Sequence, residues 1–442
     1  MTEEPKTDIE LLGEPRIATT YRAEVNCSWS SCFTSDEDRI LMETKADKVT
    51  RTIREGGVPV SFERAGPRAH IYHDPSKVRA ALVTCGGLCP GLNDILRAIV
   101  LELYYAYGVR NIYGIRYGLA GFIAEKKYDI MELRPDSVAN IHEIGGTILG
   151  SSRGPQDINE IVDCLERLNV GMLYMIGGDG TLMAATRICD VIKERGLKIS
   201  VIGVPKTIDN DIFLVSKSFG FDTAVGMATH AIRSAHTEAI GYPNGVGVVK
   251  LMGRYSGFIA VTATLAQQDV NFVLIPEVDF DLQGENGLLE SLKKRLQARG
   301  HAVIVVAEGA GQKFFEGGLG TDPSGNLRLH DIGVFIKEAV SQYLKEQGMD
   351  PSVKYIDPSY MIRSLPANSN DNVFCSFLAR NAVHAGMAGR TRMLIGYFND
   401  EFVHVPLDAT AGKRKQVLPS SKLWHSVLEA TGQGDLRDVP RE

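Results

Sequence analysis

Apolar runs of strand length recur along the chain from residue 78 onward, at 80–84, 172–176, 199–204, 246–251, 272–275 and 302–307. They lack the apolar–polar alternation of a strand with one wet face, so they read as strands buried on both sides. Between them the spacing becomes helical. Leu182, Ala185, Ile188, Cys189 and Ile192 fall on one helical face, and Ile95, Leu96, Ile99, Val100 and Leu103 on another. Buried strands alternating with helices predict mostly parallel sheets covered on both faces. The chain, 442 residues long, exceeds one ordinary core. The expected fold is therefore α/β, with two doubly wound, mostly parallel sheet domains. The pattern breaks near Gly220, and the Ser-, Asn- and Pro-rich stretch at 360–375 reads as a loop returning to the first domain. This assigns 76–220 and 363–415 to one domain, 221–362 to the other, and 416–442 to a C-terminal segment. Residues 1–75 lack the rhythm. They carry Ser28, Trp29, Ser30 and Ser31 and a charged run at 36–51, and read as an N-terminal extension.

Composition narrows the function. The chain is 44% hydrophobic and 23% charged, which is globular, and its formal charge of −6 argues against a nucleic-acid-binding face. Seven cysteines, at 27, 32, 85, 89, 164, 189 and 375, suggest free thiols in a reducing compartment. Cys85 and Cys89 have no second ligand pair to complete a tetrahedral zinc site. No apolar leader or membrane-length run is visible, so the expected location is the cytoplasm, with no membrane partner.

Candidate chemistry gathers where the apolar runs end. In parallel α/β sheets, ligands bind beyond the carboxyl ends of the strands. The run at 172–176 passes into Gly177, Gly178, Asp179, Gly180 and Thr181 and then into a helix. That layout brings backbone and a helix N-terminus close to a phosphate. Asp179 would repel the phosphate unless a divalent cation lay between them, and Mg²⁺ is commonly held by one or two carboxylates plus substrate phosphates. The alternative is a glycine turn with a helix-capping aspartate. Gly86, Gly87, Pro90 and Gly91 form a second such turn. Neither turn fits a Walker loop, and no Gly-x-Gly-x-x-Gly fingerprint of a dinucleotide fold opens the first helix. The stretch 205–211 reads Pro-Lys-Thr-Ile-Asp-Asn-Asp. Of its carboxylates, Asp209 and Asp211, one suits accepting a proton from an attacking hydroxyl, and the other suits ordering a cation. Their proximity would raise one pKa. An Asx-type turn is the alternative. Arg153, Lys206, Arg254 and Arg363 supply donors for phosphoryl oxygens.

Taken together, Cys-Gly-Gly-Leu-Cys-Pro-Gly-Leu-Asn at 85–93, Gly-Gly-Asp-Gly-Thr at 177–181, Pro-Lys-Thr-Ile-Asp-Asn-Asp at 205–211, Met-Gly-Arg-Tyr-Ser-Gly at 252–257 and Ala-Glu-Gly at 307–309 resemble the 6-phosphofructokinase family. Gly-Ser-Ser-Arg-Gly-Pro-Gln at 150–156 and Lys-Tyr-Ile-Asp-Pro-Ser-Tyr-Met-Ile-Arg at 354–363 resemble the subgroup of plants, trypanosomatids and some bacteria. The resemblance implies Mg²⁺-assisted phosphoryl transfer to the 1-hydroxyl of fructose 6-phosphate, in a cleft between the two domains of a homo-oligomer. It makes Asp209 the base, in a catalytic set with Asp211, Arg254, Gly180 and Lys206. It places ATP on Gly87, Arg153, Gly154, Gly178, Asp179, Gly180 and Thr181, with Asp179 also holding the metal. Thr207, Ile208 and Asp209 would flank the hydroxyl, and Met252, Gly253 and Arg254 would meet sugar and transferring phosphoryl. Glu308 would take sugar hydroxyls, Tyr360 and Arg363 would grip the 6-phosphate, and Met361 and Ile362 would belong with them to the substrate-binding set. The chain departs from many bacterial members at Gly245, where they carry an arginine, and at Tyr360, commonly histidine.

The donor is the third departure. Within the resemblance, Gly180 leaves room for a nucleotide where an aspartate would block it, which favours ATP. Lys206 points toward pyrophosphate. Steric room decides, so ATP is expected, with a pyrophosphate-dependent enzyme as the alternative and a non-catalytic homologue behind it. Lipid or NAD kinases share the Gly-Gly-Asp-Gly-Thr turn but not the 205–211 stretch.

Overall fold

The computed structural model describes residues 5–19, 21, 33–321 and 328–438, so Cys27, Ser28 to Ser31 and Cys32 lie outside the described residues. Two compact units are drawn from the chain. One comprises Met1–Thr207, Ile212–Gly220 and Ser364–Arg414, and the other Ile208–Asp211, Phe221–Arg363 and Lys415–Glu442.

In the first unit the apolar runs form a seven-stranded sheet ordered Glu401–Pro406, Met393–Phe398, Ser200–Pro205, Met172–Gly177, Arg79–Thr84, Asn111–Ile115 and Ile130–Glu132. The five inner strands are parallel, and the outermost on each side is antiparallel. All six residues of Met172–Gly177 are buried, as unalternating apolar sequence requires. Helix Asp179–Glu194 buries Leu182, Ala185, Ile188, Cys189 and Ile192 against it. Helix Leu92–Leu101 buries Ile95, Leu96, Ile99 and Val100, and then widens into a π-helical turn, Glu102–Tyr107, that buries Leu103.

The N-terminal extension covers sheet edges, which otherwise leave unpaired backbone groups. Strands Arg39–Leu41 and Ser61–Glu63 pair with each other, and Arg64 bridges to Val403 on the outermost strand. Phe62 stacks on Phe398 with ring centres 5.2 Å apart. Strand Glu10–Leu11 pairs with Arg390–Thr391, and Ile17–Ala18 with His70–Ile71. A buried charge cluster fixes the extension. Glu63 accepts from Arg68 Nη2 at 2.7 Å, from Arg390 Nε at 2.9 Å and from His404 Nδ1 at 3.1 Å. Asp36 accepts from Arg68 and Arg390 as well. Burial alone would raise the Glu63 carboxyl, but His404 and Arg390 overcome it and hold the group far below the usual carboxylate range.

The second unit has a four-stranded, all-parallel sheet ordered Phe272–Leu274, His301–Ala307, Gly245–Leu251 and Ser352–Ile356. Helices Leu288–Arg299 and Ile332–Glu346 bury Leu292, Leu296, Ile336 and Val340 on it. Lys250 binds Asp331 at 2.8 Å and Asp357 at 2.9 Å beneath the last strand. The 360–375 stretch, expected as a loop, is mainly helix. Asp357 caps a short helix, Ser359–Ser364, and Asn368 caps the long helix Ser369–Met387. Its Ser, Asn and Pro are capping and breaking residues, so composition alone mistook two helix starts for a loop.

Among the described residues no helix is long and apolar enough to cross a membrane, and Cys85, Cys89, Cys164, Cys189 and Cys375 are free thiols. Removing one partner from a buried ion cluster strands the others. Arg390→Ala is therefore expected to destabilise the chain by about 3–5 kcal/mol in denaturant unfolding, and a change below about 1 kcal/mol would show that Arg390 is not holding the extension.

Candidate active site

Three adjacent parallel strands of the first unit end side by side, with Thr84 opposite Ile176 and Gly177 opposite Pro205. Each then delivers its polar segment. Past Thr84, the Gly86 N–H donates to Ser152 O at 3.2 Å, and Ser151 Oγ donates to Gly86 O at 2.6 Å. These bonds lay the 150–155 loop along the Gly86–Gly87 turn. Lys206 Nζ donates to Gly87 O at 2.7 Å, and the Arg153 guanidinium lies 3.6 Å from where a Cβ on Gly87 would stand. Gly91 is required to be glycine. Its φ is +98°, and a Cβ there would meet Cys375 Sγ at 2.8 Å and Phe219 at 2.9 Å.

Past Met172–Gly177 the chain enters its helix at Asp179 without a side-chain cap. Asp179 is the first helical residue and does not cap the helix, and its Oδ2 accepts from Arg414 Nε at 3.0 Å. The Thr181 side chain is buried over Gly177, whose Cβ would lie 2.1 Å from Thr181 Oγ1. Gly180 differs: a Cβ there meets nothing within 4 Å, so the space beside the helix N-terminus is open. The structure thus brings together Gly87, Arg153, Gly178, Asp179, Lys206 and, by loop contact, Gly154, whose φ is +92°. Thr207 closes the set, its carbonyl accepting from Ser218 Oγ at 2.7 Å.

The second unit gathers the acids. Ile208 is buried, Asn210 is left-handed with φ 53°, and that turn lies between Asp209 and Asp211. Ser256 Oγ donates to Asp209 O at 3.1 Å, and the Lys415 N–H to Asp211 O at 2.8 Å. Past strand Gly245–Leu251, Met252 is buried, and Gly253 has φ +130° with room for no Cβ, since Ser256 O would lie 2.4 Å away. Gly309 packs as closely on Arg254 O, at 1.9 Å from its notional Cβ. This fixes Arg254 beside Glu308, Nε to Oε1 at 4.0 Å. On helix Ser359–Ser364, Tyr360 and Met361 are exposed, whereas Ile362 is fully buried and anchors the helix. Gly245 has no room for the bacterial arginine, because even a Cβ would lie 2.0 Å from Ala239 O.

Burial and the negative charges of Asp211 and Glu308 push Asp209 well above the usual carboxylate range, with Arg363 opposing them. Lys415 is pushed down to about 8 by burial, with Asp211 opposing. Three neighbours escaped the sequence reading. The Lys-Arg-Lys run at 413–415 is the signal that would have found Arg414 and Lys415. Glu277 Oε1 accepts from the Gly257 N–H at 2.9 Å and the Val417 N–H at 2.8 Å, bracing the 252–257 loop.

The cations and helix N-terminus of the first unit suit a polyphosphate, and the second unit by itself holds a carboxylate of raised pKa, Asp209, with Arg254 and Arg363 among its neighbours. The phosphofructokinase family description matches residues 79–386. The ATP-dependent 6-phosphofructokinase of Borreliella burgdorferi is 51% identical over 381 residues, 85% of each chain. That of Amycolatopsis methanolica is 47% identical over 96% of this chain and 94% of its own. The chloroplastic ATP-dependent 6-phosphofructokinase 5 of Arabidopsis thaliana is 49% identical over 85% of this chain and 69% of its own. In fold, the crystal structure of a pyrophosphate-dependent phosphofructokinase from Marinobacter aquaeolei superposes with a TM-score of 0.67 at 19% identity, covering 81% of this chain and 92% of that one. The chain belongs to the phosphofructokinase family.

Proposed function

We propose that the protein transfers the γ-phosphoryl group of MgATP to the 1-hydroxyl of fructose 6-phosphate, giving fructose 1,6-bisphosphate and ADP. Relatives 42–51% identical over most of the chain carry the name ATP-dependent 6-phosphofructokinase. The observation that carries the donor choice is the open space at Gly180, where a nucleotide's α-phosphate and ribose fit and an aspartate side chain would stand. Lys206 is the feature that favours pyrophosphate, but here its ammonium is engaged with the Gly87 carbonyl.

In this reading Gly87, Arg153, Gly154, Gly178, Gly180 and Thr181 surround the phosphates, helped by the N-terminus of helix Asp179–Glu194. Asp179 is the metal-facing residue. Among the described residues no group of three or more His, Cys, Asp or Glu is arranged to hold an ion. One carboxylate suits magnesium that arrives on the donor's phosphates. Bound there, magnesium would neutralise charge on the transferring group. Asp209 takes the hydroxyl proton, Asp211 keeps its basicity high, and Arg254 faces the developing charge. Glu308 and Arg363, with Tyr360 and Met361, hold the sugar phosphate. We also propose a homo-oligomer, on the family resemblance.

Asp209→Asn is expected to lower kcat by roughly 10²–10⁴-fold while fructose 6-phosphate affinity stays within a few-fold; loss of affinity alone would make Asp209 a binding residue. Gly180→Asp is expected to depress ATP use far more than pyrophosphate use, and full ATP activity in that variant would rule out the steric account. A base with raised pKa is active only above it, so kcat/KM is expected to fall as pH drops through a limb above the ordinary aspartate range. Asp211→Asn removes a like charge and should move that limb to lower pH; an unmoved limb would exclude the coupling.

A further inference from the structure

Arg414 was absent from the sequence-based site, yet its Nε donates to Asp179 Oδ2 at 3.0 Å. The pair is partly open to solvent, with side chains 33% and 31% exposed. It is not a stray surface contact. The backbone of Arg414 is held by an antiparallel bridge to Ile212, and Lys413 lies over the Phe213 ring at 5.4 Å. Helix Leu407–Thr410 packs on helix Asp179–Glu194, and Gly412, with φ +69°, turns the chain so that Arg414 points back at that helix's first residue. Leu182, Met183, Thr410 and Gly412 line a small crevice beside Asp179.

We infer that Arg414 is a donor-phosphate ligand: its ion pair with Asp179 is the resting form of the donor site, and its guanidinium transfers to the phosphates of the incoming nucleotide. The inference rests on the reading that Asp179 receives the donor's magnesium ion. Oxygens sharing one magnesium lie about 2.1 Å from it, so a phosphate oxygen would stand within about 4 Å of the Asp179 carboxylate. A guanidinium already bonded to that carboxylate reaches such an oxygen by side-chain rotation alone. Arginine suits the exchange, because it stays charged and its planar fork of five donors matches carboxylate and phosphate alike. With Asp179 turned to a divalent ion, the Arg414 guanidinium would exchange that carboxylate for polyphosphate oxygens. The pair thus keeps Asp179 neutralised in the empty site and supplies the donor with one more cation.

Titration calorimetry of ATP into the full chain, in excess Mg²⁺ and in excess chelator, tests this with Arg414→Ala, Arg414→Gln and Arg414→Lys. ATP affinity is expected to fall by roughly 10–100-fold in the Ala and Gln variants under both conditions. The Lys variant should lie between them and the parent, and fructose 6-phosphate affinity should stay within about twofold. ATP bound as tightly as by the parent, or more tightly, by folded Ala or Gln protein would make Arg414 a counter-ion of the empty site only and overturn the inference. ATP affinity unchanged by Asp179→Asn and Gly180→Asp would overturn it differently, by removing the donor-site reading beneath it.

Discussion

A carboxylate and a polyphosphate repel, and a protein that brings them together must put positive charge between them. Two unit charges 4 Å apart interact by about 4 kcal/mol at an effective dielectric of 20, so the arrangement of counter-charge decides whether such a site can fill. In the proposed donor site the first unit would meet this with a helix N-terminus, the Lys206 ammonium, the Arg153 guanidinium and the Arg414–Asp179 pair. None of this works unless backbone can approach closely. The glycines at 86, 87, 91, 177 and 178 are therefore part of the electrostatics, since a side chain at 91 or 177 would collide with its neighbours.

The second unit uses the same repulsion in the opposite sense. There Asp211 and Glu308 act with burial to hold Asp209 above the usual carboxylate range. A carboxyl group held that way is a better proton acceptor once ionised. Gly253 and Gly309 keep Arg254 close to Glu308 through packing too tight for any Cβ.

What the sequence disclosed followed from local physics. Strands buried on both faces are continuous apolar runs, and glycines are punctuation wherever φ is positive or backbone crowds backbone, as at Gly91 and Gly253. The fold class and the strand-end segments were legible for these reasons. Long-range pairing was not. Arg414 meets Asp179 across 235 residues, and Glu63 meets Arg390 across 327, and neither spacing leaves a local signature. Strands of two or three residues in the extension are too short to show a period of two. Ile362 was grouped with ligand-facing neighbours, but its buried side chain anchors their helix.

In the proposed reaction, magnesium would let these acids and a nucleotide's phosphates take part in one transfer. ³¹P NMR of the full chain with fructose 6-phosphate and ATP, with and without magnesium, tests it most directly. Loss of the γ-phosphate signal and growth of a 1-phosphate ester and ADP are expected only when magnesium is present, with pyrophosphate left unconsumed in a parallel sample. Turnover equally fast in excess chelator, or phosphate ester formed from pyrophosphate and not from ATP, would contradict it.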